Sequence, residues 1–278
     1  MNSNFKWVLY HRALLPITAP HESAAIDDLD TAEIWSKAYW GEKPLLARWT
    51  SNYDCGYETN WWWVVKDSQF DIDRIKSKRR NEIKKGLKNF YIMTIDPERY
   101  LKELFNVQIT AFSVYPEKYR PKTNIDSFRK TVKENWKDKK VYGAFSKENS
   151  VLCGYAVLSI LSNYIGFNIL KVNPKSEKQA INAAIVYSVI QDHNEKLSKA
   201  FYIVDGERSV LHETAFQDYL EKYFEFRKAY CKLNIRYTRG LSVIVSLLYP
   251  LRSFFKKYDN RLFHRINGVL FMEKIGRE

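Results

Sequence analysis

From residue 141 to residue 237 the chain reads as strand–strand–strand–helix–strand–helix–strand, and few folds accommodate that order. Residues 141–145, 152–160 and 164–172 alternate or run apolar, rich in β-branched and aromatic side chains. The turn-like SKENS and Ser162-Asn163 separate them, so an antiparallel meander is expected. Asn173-Pro174 stops the third strand. Residues 178–194 follow with Ala180, Ala183, Ala184, Tyr187, Val189 and Ile190 on one helical side. Residues 200–204 form a buried-type strand that ends at Asp205-Gly206. A helix over 214–224 and a long strand over 226–237 complete the series. A return strand reached through a helix implies a crossover, so the expected class is α/β, an α+β mixed sheet.

Upstream the pattern is less regular. Short strands are expected at 7–10, 45–49 and 61–65. A helix is expected over 71–89 with Asp71 or Asp73 as its cap, then a strand over 91–95. Pro97 opens a helix over 98–112, residues 116–124 read as loop, and 125–137 as a further helix. No solenoid repeat is visible. The expected division is an N-terminal strand and helix region (1–95), a core (96–240) and a basic, apolar tail (241–278).

Of the 278 residues 45% are hydrophobic, enough for a sizeable core. Lys plus Arg number 45 against 32 Asp plus Glu, a net charge of +13. That surplus fits a polyanionic partner: nucleic acid, an anionic membrane surface or a phosphorylated cofactor. Cys55, Cys153 and Cys231 are odd in number and lack zinc spacing, so no disulfide scaffold and no metal is expected, and a cytoplasmic location fits. Cys153 and Cys231 fall in apolar strands and read as core. No signal peptide is read at the N-terminus. The apolar run 241–251 is too short to span a bilayer. It is framed by Arg236, Arg239, Arg252, Lys256, Lys257 and Arg261. Either it lies on an anionic leaflet, making the protein membrane-peripheral, or it docks on its own domain with a kink at Pro250.

The segment LKVNPKSEKQAINAAIVYSVI places Gln179, Asn182 and Ala184 at the key positions of a Q/R-x-x-G-x-G/A pattern. With the element order and the later stretch AFQDYLEKYFEFRKAYCKL, it resembles the GNAT (acyl-CoA N-acyltransferase) superfamily over residues 140–240. Residues 61–95 more weakly resemble its Fem-type branch. Asn182 and Glu225 stand where glycines are usual. The resemblance implies a GNAT-like acyltransferase fold and transfer of an acyl group to an amine. The default donor is acyl-CoA, such as acetyl-CoA; aminoacyl-tRNA is the alternative. The acceptor would be a small molecule or a glycan or peptide amine, such as a cell-envelope precursor. Leu170 and Val172 would lie beside the donor. Gln179, Ala180, Ile181, Asn182, Ala183 and Ala184 would hold its diphosphate at a helix N-terminus. The alternative from another class is a GNAT-shaped protein without catalysis that grips nucleic acid or an anionic membrane through its basic face.

The chemistry concentrates in VDGERSVLHETAFQ, after a buried strand. Amide formation needs a base, and Asp205, Glu207 and His212 are the candidates. Arg208 could hold an acidic group. Thr214 and Gln217 equally read as a capping box. In the helix over 71–89, Arg79 falls inside the stripe Ile72, Ile75, Ile83, Phe90. Arg80 belongs to a basic row with Lys76, Lys84 and Lys88. Both arginines are candidate anion contacts. Within Trp61-Trp62-Trp63, Trp62 is the candidate stacking platform. No G-x-S-x-G, Walker A or Rossmann pattern occurs.

Overall fold

The structure, a computed structural model, describes residues 5–115, 120–210, 215–255 and 261–278. The elements are β1 (Trp7–Tyr10), β2 (Ala13–Pro16), α1 (Lys37–Trp40), β3 (Leu46–Ser51), β4 (Trp61–Lys66), α2 (Ser77–Asn89), β5 (Phe90–Thr94), α3 (Leu101–Ser113) and α4 (Ile125–Asn135). They continue as β6 (Lys139–Ser146), β7 (Leu152–Ile160), β8 (Tyr164–Val172), α5 (Pro174–Glu177), α6 (Ile181–Gln191), β9 (Tyr202–Glu207), α7 (Ala215–Phe224), β10 (Arg227–Tyr237), α8 (Arg239–Leu248), α9 (Arg252–Phe255) and α10 (Arg261–Gly276). Two compact units result. One holds residues 65–206 and 216–227, the other 1–64, 207–215 and 228–278.

In the first unit the strand order is β9-β8-β7-β6-β5. β5 to β8 run antiparallel, as the meander pattern implies, and β9 joins β8 in parallel. Alternation along β7 sends Tyr155 and Val157 to one face. There they pack with Leu104 and Val107 of α3 and Phe128 and Val132 of α4. Gly154 faces the other side, where a Cβ would meet Ile181 and Ile185 of α6 at 3.0 and 3.2 Å. The sheet is therefore covered on both faces.

Three helices differ from expectation, the first being α3, which starts at Leu101 and not at residue 98. α2 starts at Ser77, not at residue 71. The Asp71 carboxylate accepts from the Asp73 amide in a local turn, and Lys76 precedes the helix without a side-chain cap. Arg79 and Arg80 consequently sit in the first turn, half-buried, and Arg80 pairs with Asp73 at 3.3 Å. The helix expected over 178–194 is broken. Ala180 takes a left-handed conformation (φ 62, ψ 37) between α5 and α6. The break lets Gly86 of α2 come against the Ala180 carbonyl and the Ala184 amide. Glu225 is also left-handed (φ 56), which explains why a glycine is usual at such a position.

In the second unit the order is β1-β2-β3-β10-β4. β2 was not expected from sequence; it is a short partner of β1 beside a turn at His11-Arg12. One core gathers Trp7, Leu14, Leu29, Ile34 and Ala47. A second gathers Trp61, Cys231, Leu233 and Ile275. Of the three consecutive tryptophans only Trp61 is fully buried. Cys153, expected in the core, is half-buried, whereas Cys231 is buried. Residues of the tail are part of the second core: Ile275 of α10 is buried there, with Phe271 and Met272 packed against it.

Candidate active site

β8 and β9 pair only over Tyr164–Gly166 and Tyr202–Val204. Beyond Gly166, no residue of β8 pairs with β9 among the described residues. β8 also carries an irregularity in its register with β7: Val157 pairs with Ile169 and Leu158 with Phe167, so Asn168 is the extra residue. A bulge at this point bends the strand away from its neighbour. The result is a cavity of about 520 Å³ beside the free edge of β8, with the end of α3, the α5 turn, Asn182 and Phe216 as its walls.

Asp205, at the end of β9, lines this cavity. Burial pushes its carboxyl up to about 6, and a hydrogen bond from the Gln217 side chain partly opposes the shift. Asn182 lines the cavity too, and its buried Oδ1 has no hydrogen-bond partner among the described residues. Asp205 and Asn182 are thus both in the wall of one space, although the Asn182 Oδ1 atom itself is buried behind that wall. Leu170 and Val172 line the same space. Lys171 rests its Nζ 4.9 Å from the Phe112 ring and 5.7 Å from Tyr115. Glu177 puts a carboxylate at the wall. Asn168, Lys171, Glu177 and Phe216 were not singled out in the sequence. A bulge has no composition signal, and the other three become neighbours only when α3, α5 and α7 converge.

The turn before α6, expected to help cradle a diphosphate, is partly occupied by its own hydrogen bonds. The amides of Lys175, Ser176, Gln179 and Ala180 donate to Asn173 Oδ1, Asn173 O, Ser176 O and Glu177 O. Ile181, Ala183 and Ala184 are fully buried, and the Ala184 amide donates to Ala180 O. Of the expected cradle, Asn182 alone reaches the cavity. Glu177 adds a carboxylate beside it, which opposes an anion at that part of the wall.

The other sequence candidates lie elsewhere. Glu207 is half-buried in an ion pair with Arg48 (2.6 Å). Burial pushes its carboxyl up and Arg48 opposes that. Arg208 stacks over the rings of Trp62 (4.5 Å) and Phe271 (5.1 Å), with Nη1 donating to Asn60 O at 2.6 Å. Lys228 lies over the same Trp62 ring at 4.6 Å. His212 falls outside the described residues, as do Glu213 and Thr214. A second cavity, about 540 Å³, has Asp71, Arg74, Tyr187 and Glu225 in its wall. Its carboxylates are paired within the unit, Asp71 with Arg74 and Glu225 with Lys66. Among the described residues no three side chains are grouped to hold a metal, and no helix is long and apolar enough to cross a membrane.

No family model and no curated protein matches the chain. Solved structures do. L-PGS from Bacillus licheniformis aligns over 98% of this chain and 85% of its own, at 13% identity and a TM-score of 0.50. The C-terminal domain of a putative lysylphosphatidylglycerol synthetase from Agrobacterium fabrum aligns over 87% and 84%, at 10% identity and a TM-score of 0.50. An acetyltransferase from Trypanosoma brucei covers 50% of this chain and 93% of its own, at 12% identity and a TM-score of 0.35. The chain has a mixed α/β, GNAT-like acyltransferase fold.

Proposed function

We propose that the chain transfers an acyl or aminoacyl group to an amine in the cavity beside β8. The observation that carries this is the placement of Asp205, whose carboxyl is raised by burial, in the wall of a cavity along an unpaired strand edge. Asp205 takes the proton that the nitrogen sheds as it attacks. A backbone N–H on the free edge of β8, between Ile169 and Val172, polarises the donor carbonyl. The N–C bond forms, the bond from carbonyl carbon to its carrier breaks, and the carrier leaves with the proton.

The cavity supports an enzyme over a binding protein without catalysis. Five amides between Lys175 and Ala184 are already paired within the segment, which weighs against a diphosphate gripped by those five. They favour the aminoacyl alternative of the Fem-type branch. The Agrobacterium protein is named for joining a lysyl group to phosphatidylglycerol, which agrees with an aminoacyl donor. The α2 sequence SKRRNEIKKGLKN carries Arg79 and Arg80 among six Lys or Arg with one Glu, a surface suited to a nucleic-acid backbone.

A donor-discharge assay tests this. Purified protein is incubated with acetyl-CoA or with a mixture of charged tRNAs, each with a panel of small-molecule, peptide and aminoglycan amines. Loss of the acyl group should be accelerated for the charged tRNAs with at least one acceptor. Acceleration with acetyl-CoA instead would return the donor to coenzyme A. No acceleration with either donor would end the transferase proposal.

A further inference from the structure

α8 has two apolar sides; one is packed and the other is exposed among the described residues. Val245 is buried, and the inner side is held by Tyr249, whose ring lies 4.0 Å from the Arg277 guanidinium and 4.5 Å from that of Arg252. The helix runs on through a 3-10 turn at Tyr249–Leu251, which contains Pro250, into α9. On the outer side Val243, Ile244, Leu247, Leu251 and Phe254 recur three, four and seven residues apart. At about 100° per residue they share an arc of roughly 100°. Each is between 51% and 69% exposed. An isolated exposed leucine needs no explanation, but five large apolar side chains on one helical stripe do.

The surrounding charge says what covers them. From Arg239 to Lys257 the chain has four Lys or Arg and no Asp or Glu. Arg239 is exposed one turn before Val243. A second copy docked by two-fold symmetry would set these cations against their own copies. A bilayer with anionic headgroups satisfies both features, since it takes the apolar stripe into its acyl boundary and the cations at its surface.

We propose that the outer stripe of α8 and α9 is a docking face for an anionic lipid surface. The face belongs to one unit and does not depend on the transfer reaction. Deleting the whole tail is a poor test, because α10 belongs to the core around Trp61. Point variants on the exposed side avoid this. Co-sedimentation is measured with vesicles of phosphatidylcholine mixed with phosphatidylglycerol and with vesicles of phosphatidylcholine alone. The native chain should bind the mixed vesicles and bind the neutral ones far less. Leu247→Glu and Leu251→Glu should each lower the bound fraction about tenfold, with melting temperature unchanged, and Leu247→Ala should lower it less. The proposal is overturned if the variants bind as the native chain does. It is equally overturned if Leu247→Ala has no effect while the Glu variants do, because charge and not the stripe would then be responsible. A dimer that the Glu variants split, with vesicle binding intact, would assign the face to a second copy instead.

Discussion

Asp205→Asn is expected to abolish most transfer and to make the protein more stable. The two effects share one cause. Burial raises the carboxyl from its ordinary value of 3.8 to about 6. A raised acid pKa means that the folded state holds its proton more tightly than the unfolded chain does. Stability from this group is therefore full below pH 3.8 and declines as pH rises to about 6. Above that the folded state carries an unfavourable charge worth up to about 3 kcal/mol, since each tenfold change in proton affinity corresponds to about 1.4 kcal/mol. Asparagine removes the charge, so at neutral pH the melting temperature should rise by roughly 5 °C. It also removes the base, and turnover should fall by about a hundredfold or more. Thermal melts and steady-state rates on the same preparation check both. A lower melting temperature with the activity loss would mark Asp205 as a structural group.

Gly86→Ala should strongly destabilise the protein, although alanine is the better helix former. In an open helix the change would gain roughly 1 kcal/mol. Here the new Cβ would stand 3.0 Å from the Ala184 amide nitrogen and closer still to the Ala180 carbonyl oxygen. Both are backbone atoms and cannot swing aside, so α2 must lift from α6. Overpacking of this kind costs about 1–3 kcal/mol and sometimes more, and a net loss of about 2 kcal/mol is expected. Gly240→Ala is the control, since its Cβ meets nothing within 4 Å. Denaturant melts of the two variants should move apart; equal midpoints would contradict the close packing of α2 on the α6 start.

The order of strands and helices after residue 141 was legible because alternation and helical spacing are local signals. Asp205 was legible for the same reason, as an acid at the end of an apolar strand. What stayed hidden depends on distant partners. Asp71 looks like a helix cap in sequence, but the same carboxylate closes a turn on Asp73 and delays α2 to Ser77. Ala180 favours helix by propensity, yet the approach of Gly86, far away in the chain, accompanies its left-handed turn. Glu207 looked equivalent to Asp205 until Arg48 supplied its counter-charge. The two acids differ in that one is paired and the other faces a cavity. Asn182 departs from the glycine of the pattern in sequence; its place in the same wall as Asp205 depends on how α6 packs beside β8 and is not a local signal.

The central claim is that Asp205 is the base for transfer beside β8, and the pH dependence of kcat/KM tests it most directly. With the donor that supports turnover, kcat/KM should rise about tenfold per pH unit on the acid side and level off above about 6, where the carboxylate is ionised. Asp205→Asn should lose that inflection along with the rate. A profile that is flat through this region, or an inflection that survives in the variant, would place the base elsewhere.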